Sequence, residues 1–266
     1  MSTLKVTNIE SPSGGGVNAK ITDINGGQLS NRNLIINGSM QVSQRTTSTT
    51  AATSGGAYGL DRWEAFASGG GAYTQEQSTT VPDNTFKNSA KLTVTTADSS
   101  IAAADYYAFN YNIEGNDIIR TGYGTSDAVS MTLSFWARSS VGGKYSVTVY
   151  NHNGSRGYLN TFDLVADTWK HVTISFAGDT GGTWNKDNSK GLVIRFDLGG
   201  GSNGNGTANQ WTTSGSFAAN HTSDSVKWIS TNAATFYLTG VQFEVGSVAT
   251  AFEHRSFGDE LARCQR

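Results

Sequence analysis

The sequence predicts an all-β protein: an antiparallel β-sandwich or jelly roll, preceded by a short extended N-terminal segment and closed by a short C-terminal helix. Three observations predict it. Apolar side chains recur with period two in stretch after stretch, the signature of half-buried strands. The stretches are separated by Gly- and Asn-rich turns such as "NHNGSRG" and "GDTGG" in a chain with 32 Gly and 2 Pro. Only "NDIIRTG" and "SFGDELARCQR" read as helical. Strands with tight turns and almost no helix leave a sandwich or jelly roll as the architecture, each sheet with one face to the core and one to water.

Residues 1–30 stand apart. "TLKVTNI" is one short strand pattern, "SPSGGG" breaks it, and the rest carries scattered apolar residues. Such a segment cannot build a core of its own. It is expected to dock on a partner or on copies of itself through Leu4, Val6 and Ile9. Residues 31–266 form the sandwich domain. "NLIING" is expected as a short strand, "SQRTTSTTAATSGGAYG" as a loop, and "DRWEAFAS" as a strand with Trp63 and Phe66 buried. "AKLTVTT" alternates at Leu92 and Val94, and "ADYYAFNYNIE" is aromatic through Tyr107, Phe109 and Tyr111. "SMTLSFWARS" places Met131, Leu133 and Phe135 on one face, and "KYSVTVYNH" places Tyr145, Val147 and Val149. "WKHVTISFA" and "GLVIRFDLG" alternate at Val172, Ile174, Phe176 and at Leu192, Ile194, Phe196. "GGGSNGNG" reads as a long flexible loop. In "FYLTGVQFEVGS" the apolar parity changes after Gly240, from Phe236 and Leu238 to Val241, Phe243 and Val245. A glycine at a parity change predicts a bulge, with Gln242 and Glu244 turned outward as solvated or interface groups.

Composition narrows the function. Hydrophobic residues are 36%, aromatics 11% and charged residues only 15%. A core of Phe, Trp and Tyr under an uncharged polar surface suits an extracellular or virion surface better than a metabolic enzyme. Net charge is −2 with no cluster of Lys or Arg, so nucleic acid is not an expected partner. No apolar run reaches the roughly 18 residues of a spanning helix. The opening "MSTLKVTNIE" has neither the basic start nor the apolar run of a signal peptide. The lone Cys264 forbids an internal disulfide.

Catalytic and cofactor signals are weak. Gly199, Gly201 and Gly204 match G-x-G-x-x-G, but no helix follows to face a pyrophosphate. His152, His171, His221 and His254 lie in no metal-ligand spacing, and no cofactor or metal is expected. Glu64, Asp163, Asp197 and Glu244 could supply paired carboxylates for glycan cleavage, although spacing cannot show that any two converge. The more pointed set is aromatic. Tyr150, Tyr158, Trp184 and Trp211 lie near loops, and "YNHNGSRGY" adds His152, Asn153 and Arg156. Flat rings with a polar rim bind sugars, whose C–H faces stack on π systems. The same rings could instead plug the ends of the sandwich.

Several stretches together resemble a large family of bacteriophage tail-fibre and related virion structural proteins of marine-phage type. They are "NLIINGSMQVSQR", "DRWEAF", "LSFWARSS", "TWKHVTISFAGDTGGTW", "GLVIRFDLG" and "FYLTGVQFEVGSVATAFEHRSFGDELARCQR". The resemblance implies a sandwich similar to carbohydrate-binding modules, a virion location after synthesis in the host cytoplasm, and trimers. It brings no catalytic residues. Where calcium-bearing carbohydrate-binding modules place an Asp before the last strand's apolar pair, this chain has "LTGV", which carries no carboxylate. The expected function is therefore non-catalytic, multivalent attachment to host-surface polysaccharide, with residues 1–30 contacting other virion proteins. A purely structural role as a capsid decoration, head fibre or tail adaptor is the first alternative. A glycan depolymerase is the second.

Overall fold

The computed structural model describes residues 31–46, 48–152, 155–213 and 219–265. Leu4, Val6, Ile9 and Asn153 lie outside the described residues. Among the described residues eleven strands follow in chain order: β1 (Ser48–Ala57), β2 (Trp63–Ser78), β3 (Ser89–Thr96), β4 (Tyr106–Glu114), β5 (Met131–Ser139), β6 (Gly143–Asn151), β7 (Arg156–Leu164), β8 (Lys170–Phe176), β9 (Lys190–Asp197), β10 (Gln210–Thr213) and β11 (Thr235–Val245). Two short helices, α1 (Gly115–Ile118) and α2 (Phe257–Cys264), fall where the sequence places them. All strand pairings are antiparallel, in the order β10-β7-β6-β9-β4-β2-β3-β11-β5-β8, with β1 on the other edge of β2.

The sandwich arises because β2 belongs to both sheets. Its first half, Trp63–Ser68, pairs with β4, and its second half, from Ala72, pairs with β3. Between them lie Gly69, Gly70 and Gly71. A Cβ at Gly69 would lie 2.2 Å from the Tyr107 hydroxyl, and one at Gly71 would lie 2.8 Å from Ile229, so the fork needs glycine. Backbone groups stranded there are met by two tyrosines. The Tyr107 hydroxyl accepts the Gly71 N–H (2.8 Å) and donates to Asp98 (2.6 Å). The Tyr73 hydroxyl accepts the Phe66 N–H (2.9 Å) and donates to the Ala108 carbonyl (2.6 Å). Buried backbone groups left without such partners would each be costly.

The first sheet is thus β10-β7-β6-β9-β4-β2 and the second is β2-β3-β11-β5-β8. Their inner faces meet in an aromatic core. Phe135 of β5 stands edge-on to Phe196 of β9 (5.0 Å) and Phe162 of β7 (5.1 Å). Trp63 stacks on Phe109 at 4.9 Å and touches Tyr111. The alternating residues predicted for β3, β4, β5, β6, β8 and β9 are all in this core.

β11 carries the predicted bulge. Its register with β5 shifts between Thr239 and Gln242, and Gly240 has φ +61°. Phe236, Leu238, Val241 and Phe243 all face the core across the shift. Gln242 and Glu244 do face outward, but they are not solvated, because residues 250–253 roof them. Glu244 is 1% exposed, and its oxygens accept the Thr250 N–H (2.9 Å), the Thr250 hydroxyl (2.7 Å) and the Gln242 amide (2.8 Å).

Three further expectations change. "NLIING" is not a strand. The Asn33 side chain accepts the amides of Ile35 (2.9 Å) and Phe243 (3.0 Å), and Asn37, at φ +59°, accepts that of Val42 (2.9 Å). Asparagine side chains competing for backbone groups turn the chain instead. "STTAATSGGA" is not a loop but β1, paired along β2 from Ser48↔Glu76 to Ala57↔Ala65. "GGGSNGNG" is pinned: the Gly201 N–H reaches the Asp105 carbonyl (2.7 Å) and that of Asn203 reaches Ala103 (2.9 Å). A Cβ at Gly201 would lie 1.9 Å from the Ala102 carbonyl oxygen.

The C-terminal segment fastens residues 32–37 to the sandwich. Glu253 accepts the Asn33 and Arg32 amides (3.0 and 3.2 Å), and Arg255 donates to the carbonyls of Asn33 (2.6 Å) and Ile35 (3.1 Å). Burial alone would raise the Glu253 pKa; the Asn33 and Arg32 amides and the Arg255 charge outweigh it and hold the carboxyl below its ordinary 4.5. A lowered folded-state pKa gives stability that is complete above 4.5 and lost as pH falls through the folded value. Urea midpoints measured from about pH 6 down to about pH 3 should therefore fall, and Glu253→Gln should flatten that fall. An unchanged pH profile in the variant would contradict the assignment.

Candidate functional site

The β6–β7 hairpin sends its candidate residues to different places. Tyr158 pairs with Val149 and points inward. There it joins Phe176 (4.7 Å) and Trp211 (5.4 Å), while Trp184 and Tyr123 complete the cluster (Tyr123–Trp184 4.9 Å, Trp184–Trp211 5.9 Å). The indole N–H groups of Trp184 and Trp211 donate to the carbonyls of Gly181 (3.1 Å) and Ala177 (2.8 Å). Tyr158, Trp184 and Trp211 therefore close one end of the sandwich. Arg156 grips Asp179 through both nitrogens of its fork, Nε at 2.8 Å from Oδ2 and Nη2 against Oδ1. His152 is half-buried, and its Nδ1 has no partner among the described residues.

Tyr150 lies on the opposite, outer face of the first sheet, in register with Val193 and Gly157. It ends a four-membered stack that crosses β2, β4, β9 and β6. Phe66 lies flat on Tyr106, with centroids 4.8 Å apart and 5° between planes. The Arg195 guanidinium sits over Tyr106 at 5.3 Å and over Tyr150 at 5.0 Å. Cross-strand register builds it, since Asn110 faces Arg195 and Phe66 faces Ala108. Arg195 is only 5% exposed. Two aromatic faces stabilise its desolvated charge, and the Asn110 and Asn220 side-chain oxygens accept its N–H groups at 3.0 and 3.2 Å. Burial raises the pKa of both tyrosines and Arg195 opposes the rise, so the phenols are neutral at neutral pH.

Beside this stack a cleft of about 370 Å³ opens between the loop at residues 103–105, the loop at 203–204, and Asn220–His221, with Tyr106 and Arg195 in its wall. The pinned glycine loop shapes one side. Asp197 accepts the Gly199 and Gly200 amides (3.1 and 3.3 Å) and contacts His221 Nδ1 (3.2 Å). The cleft offers aromatic edge, guanidinium, amide and carboxylate in a fixed frame, an arrangement that suits a ligand with several hydroxyls. Its volume lies within the roughly 300–1,000 Å³ of small-ligand sites.

Of these residues the sequence points to Tyr150 but not to Tyr106 or Arg195, and Phe66, expected to be buried like Trp63, is instead half-buried on the outer face because β2 turns it away from the core. The signal was a lone Arg among apolar residues in "GLVIRFDLG". The four carboxylates do not gather. Glu244 is on the outer face of the second sheet and Asp163 is exposed on β7. Glu64 shares the outer face of the first sheet with Asp197, whose oxygens are already engaged. After the G-x-G-x-x-G stretch the next described element is the strand β10 (Gln210–Thr213). Among the described residues no group of three or more His, Cys, Asp or Glu is placed to hold a metal. Burial, chiefly, pushes the Cys264 thiol up to about 12, which removes the thiolate a nucleophile needs. No helix of the described residues is long and apolar enough to cross a membrane.

No protein-family model matches the chain, and no curated protein sequence matches it. Solved structures with a similar fold include the enzymatically active domain of bacteriophage CBA120 tailspike protein 4, at TM-score 0.40 and 11% identity, covering 80% of this chain and 21% of that one. A structure described under "CBM4 structure and function" gives 0.39 at 17% identity, covering 79% of this chain and 97% of that one. The family 11 carbohydrate-binding module of Clostridium thermocellum cellulase Lic26A-Cel5E gives 0.38 at 11%, covering 77% and 100%. The chain thus spans about a fifth of the tailspike structure's length. At TM-scores below 0.5 these likenesses bear on no functional question.

Proposed function

We propose that the protein is a non-catalytic glycan-binding component of a bacteriophage particle, a tail fibre or similar appendage. The observation that carries the binding reading is the cleft beside the Phe66–Tyr106–Arg195–Tyr150 stack. A wall of stacked rings with a guanidinium held by Asn110 and Asn220 presents polar groups whose positions are set before a ligand arrives. The phage setting is supported by the tail-fibre resemblance of the sequence motifs. Leu4, Val6 and Ile9 would attach the chain to other virion proteins, and a trimer would convert weak single-site contacts into firm attachment.

The test is a glycan array of bacterial surface polysaccharides probed with the purified full chain, alongside Tyr106→Ala and Asn203→Ala. Asn203 is exposed at the cleft rim, so its loss should leave folding intact. Expected is binding to at least one polysaccharide class, weakened about tenfold by either substitution, equivalent to about 1.4 kcal/mol. Binding to no host polysaccharide would favour the purely structural role. Loss of polysaccharide chain length on incubation would favour a depolymerase.

A further inference from the structure

We infer a second saccharide site, for a single uncharged pyranose ring, on the outer face of the second sheet at the β11 bulge. A cleft of about 290 Å³ lies there, on the opposite side of the sandwich from the first. Its walls are Phe86, Trp136 and Phe252, with His171, His254 and Asp83 around them. Phe86 contacts Phe252 (5.4 Å) and His254 (5.5 Å), and Trp136 is tilted against His171 (5.0 Å).

The cleft exists because of the bulge. At Gly240 a Cβ would lie 2.8 Å from the Phe86 ring and 3.2 Å from Trp136, so the bare backbone lets both rings descend toward the sheet. Any side chain would push them apart or up into the space.

Three polar groups face this cleft: the half-buried Trp136 indole and the exposed rings of His171 and His254, the His171 ring against Trp136 and the His254 ring against Phe86 and Phe252. Burial lowers the His171 pKa, which favours the neutral ring that can accept as well as donate. Apolar faces with accessible donors and acceptors at their edges match a ring that is apolar on its C–H face and hydroxylated at its rim. Charge excludes other classes. No Lys or Arg lines the cleft and Asp83 does, which disfavours phosphate or carboxylate ligands. The volume lies just under the usual small-ligand range, enough for one ring and not for a chain of them.

The site is independent of the first cleft, and its test separates the two. The full chain, labelled with ¹⁵N, is titrated with glucose, galactose, mannose and N-acetylglucosamine while the Trp136 indole resonance is followed, assigned by its absence in Trp136→Phe. Expected is a saturable shift with at least one sugar, weakened about tenfold in His254→Ala and Phe252→Ala and unchanged in Tyr106→Ala. His254 is exposed, so its variant tests the site without threatening the fold. No shift with any of the four sugars overturns the proposal. So does a shift that His254→Ala and Phe252→Ala leave intact, or one that disappears in Tyr106→Ala, which would mean a single site. A response of the His171 and His254 rings to Zn²⁺, without any response to sugars, would replace it with a metal site.

Discussion

Trp63→Ala should destabilise the protein by about 3–5 kcal/mol, the range for deleting a large aromatic side chain from a packed core. Trp63 is fully buried at the place where β2 enters the first sheet. Its ring meets Phe109 and Tyr111 at 4.9 Å and Phe196 at 6.4 Å, so three other large rings lose a neighbour at once. Large rigid rings collapse poorly into a void, which puts the loss toward the upper part of the range. The indole N–H also donates to the Asn37 carbonyl (3.1 Å), tying the irregular segment before β1 to the core. Trp63→Phe keeps most of the ring and loses that bond, and should cost clearly less. Urea unfolding of both variants measures this. Equal losses for Ala and Phe would show that the hydrogen bond, not the packing, dominates.

Glu260→Ala should cost about 1–3 kcal/mol for the buried Asn37 amide left without its acceptor, with a further loss at Arg255, whose charge stays paired with Glu253 (3.1 Å). Glu260 sits on α2, whose first turn is capped by Ser256 accepting the Asp259 N–H (3.2 Å). Its carboxylate accepts the Asn37 N–H and pairs with Arg255 at 3.6 Å, and both side chains are below a tenth exposed. Removing it leaves Arg255 buried with one carboxylate fewer and the Asn37 amide unsatisfied. Glu260→Gln retains an acceptor for Asn37 and should lose less. Amide exchange should quicken first at residues 35–42, because Asn37 also bonds the Val42 and Asp61 carbonyls (2.8 and 3.0 Å). Uniform exchange across the whole sandwich would show that α2 acts on global stability instead of on this segment.

The strands that could be read from the sequence were those whose inner residues alternate cleanly, such as Leu192, Ile194 and Phe196. β1 could not be read. Its Thr, Ser and Gly residues have no alternation, and it is a strand because β2 offers a free edge along its length. Asn33 and Asn37 had the reverse effect, turning an apolar stretch into a side-chain-braced irregular segment. The bulge at Gly240 was legible because parity and glycine agree. The roof over Glu244 was not, because Thr250 reaches it only through a chain reversal that leaves no period. The site divides in the same way. Tyr150 stood out as an aromatic near a loop. Arg195 and Tyr106 become its neighbours only through the registers of β4 with β9 and β9 with β6, and linear spacing carries no register. Trp184 and Trp211 are equally conspicuous in the sequence, yet they pack inward.

The position of β11 sets the order of events during synthesis. Of the described strands it is the last to be made, yet it lies between β3 and β5, which are hydrogen-bonded to it and not to each other. Until residues 235–245 emerge, the nascent second sheet is split into two pieces with bare edges, each able to recruit a strand from a neighbouring chain. The first sheet has no such gap and can zip up earlier. A chain interrupted before Thr235 would therefore be half-assembled and prone to aggregate. Once residues 235–245 are present, the second sheet would close in one slow step, as sheets built from distant segments do.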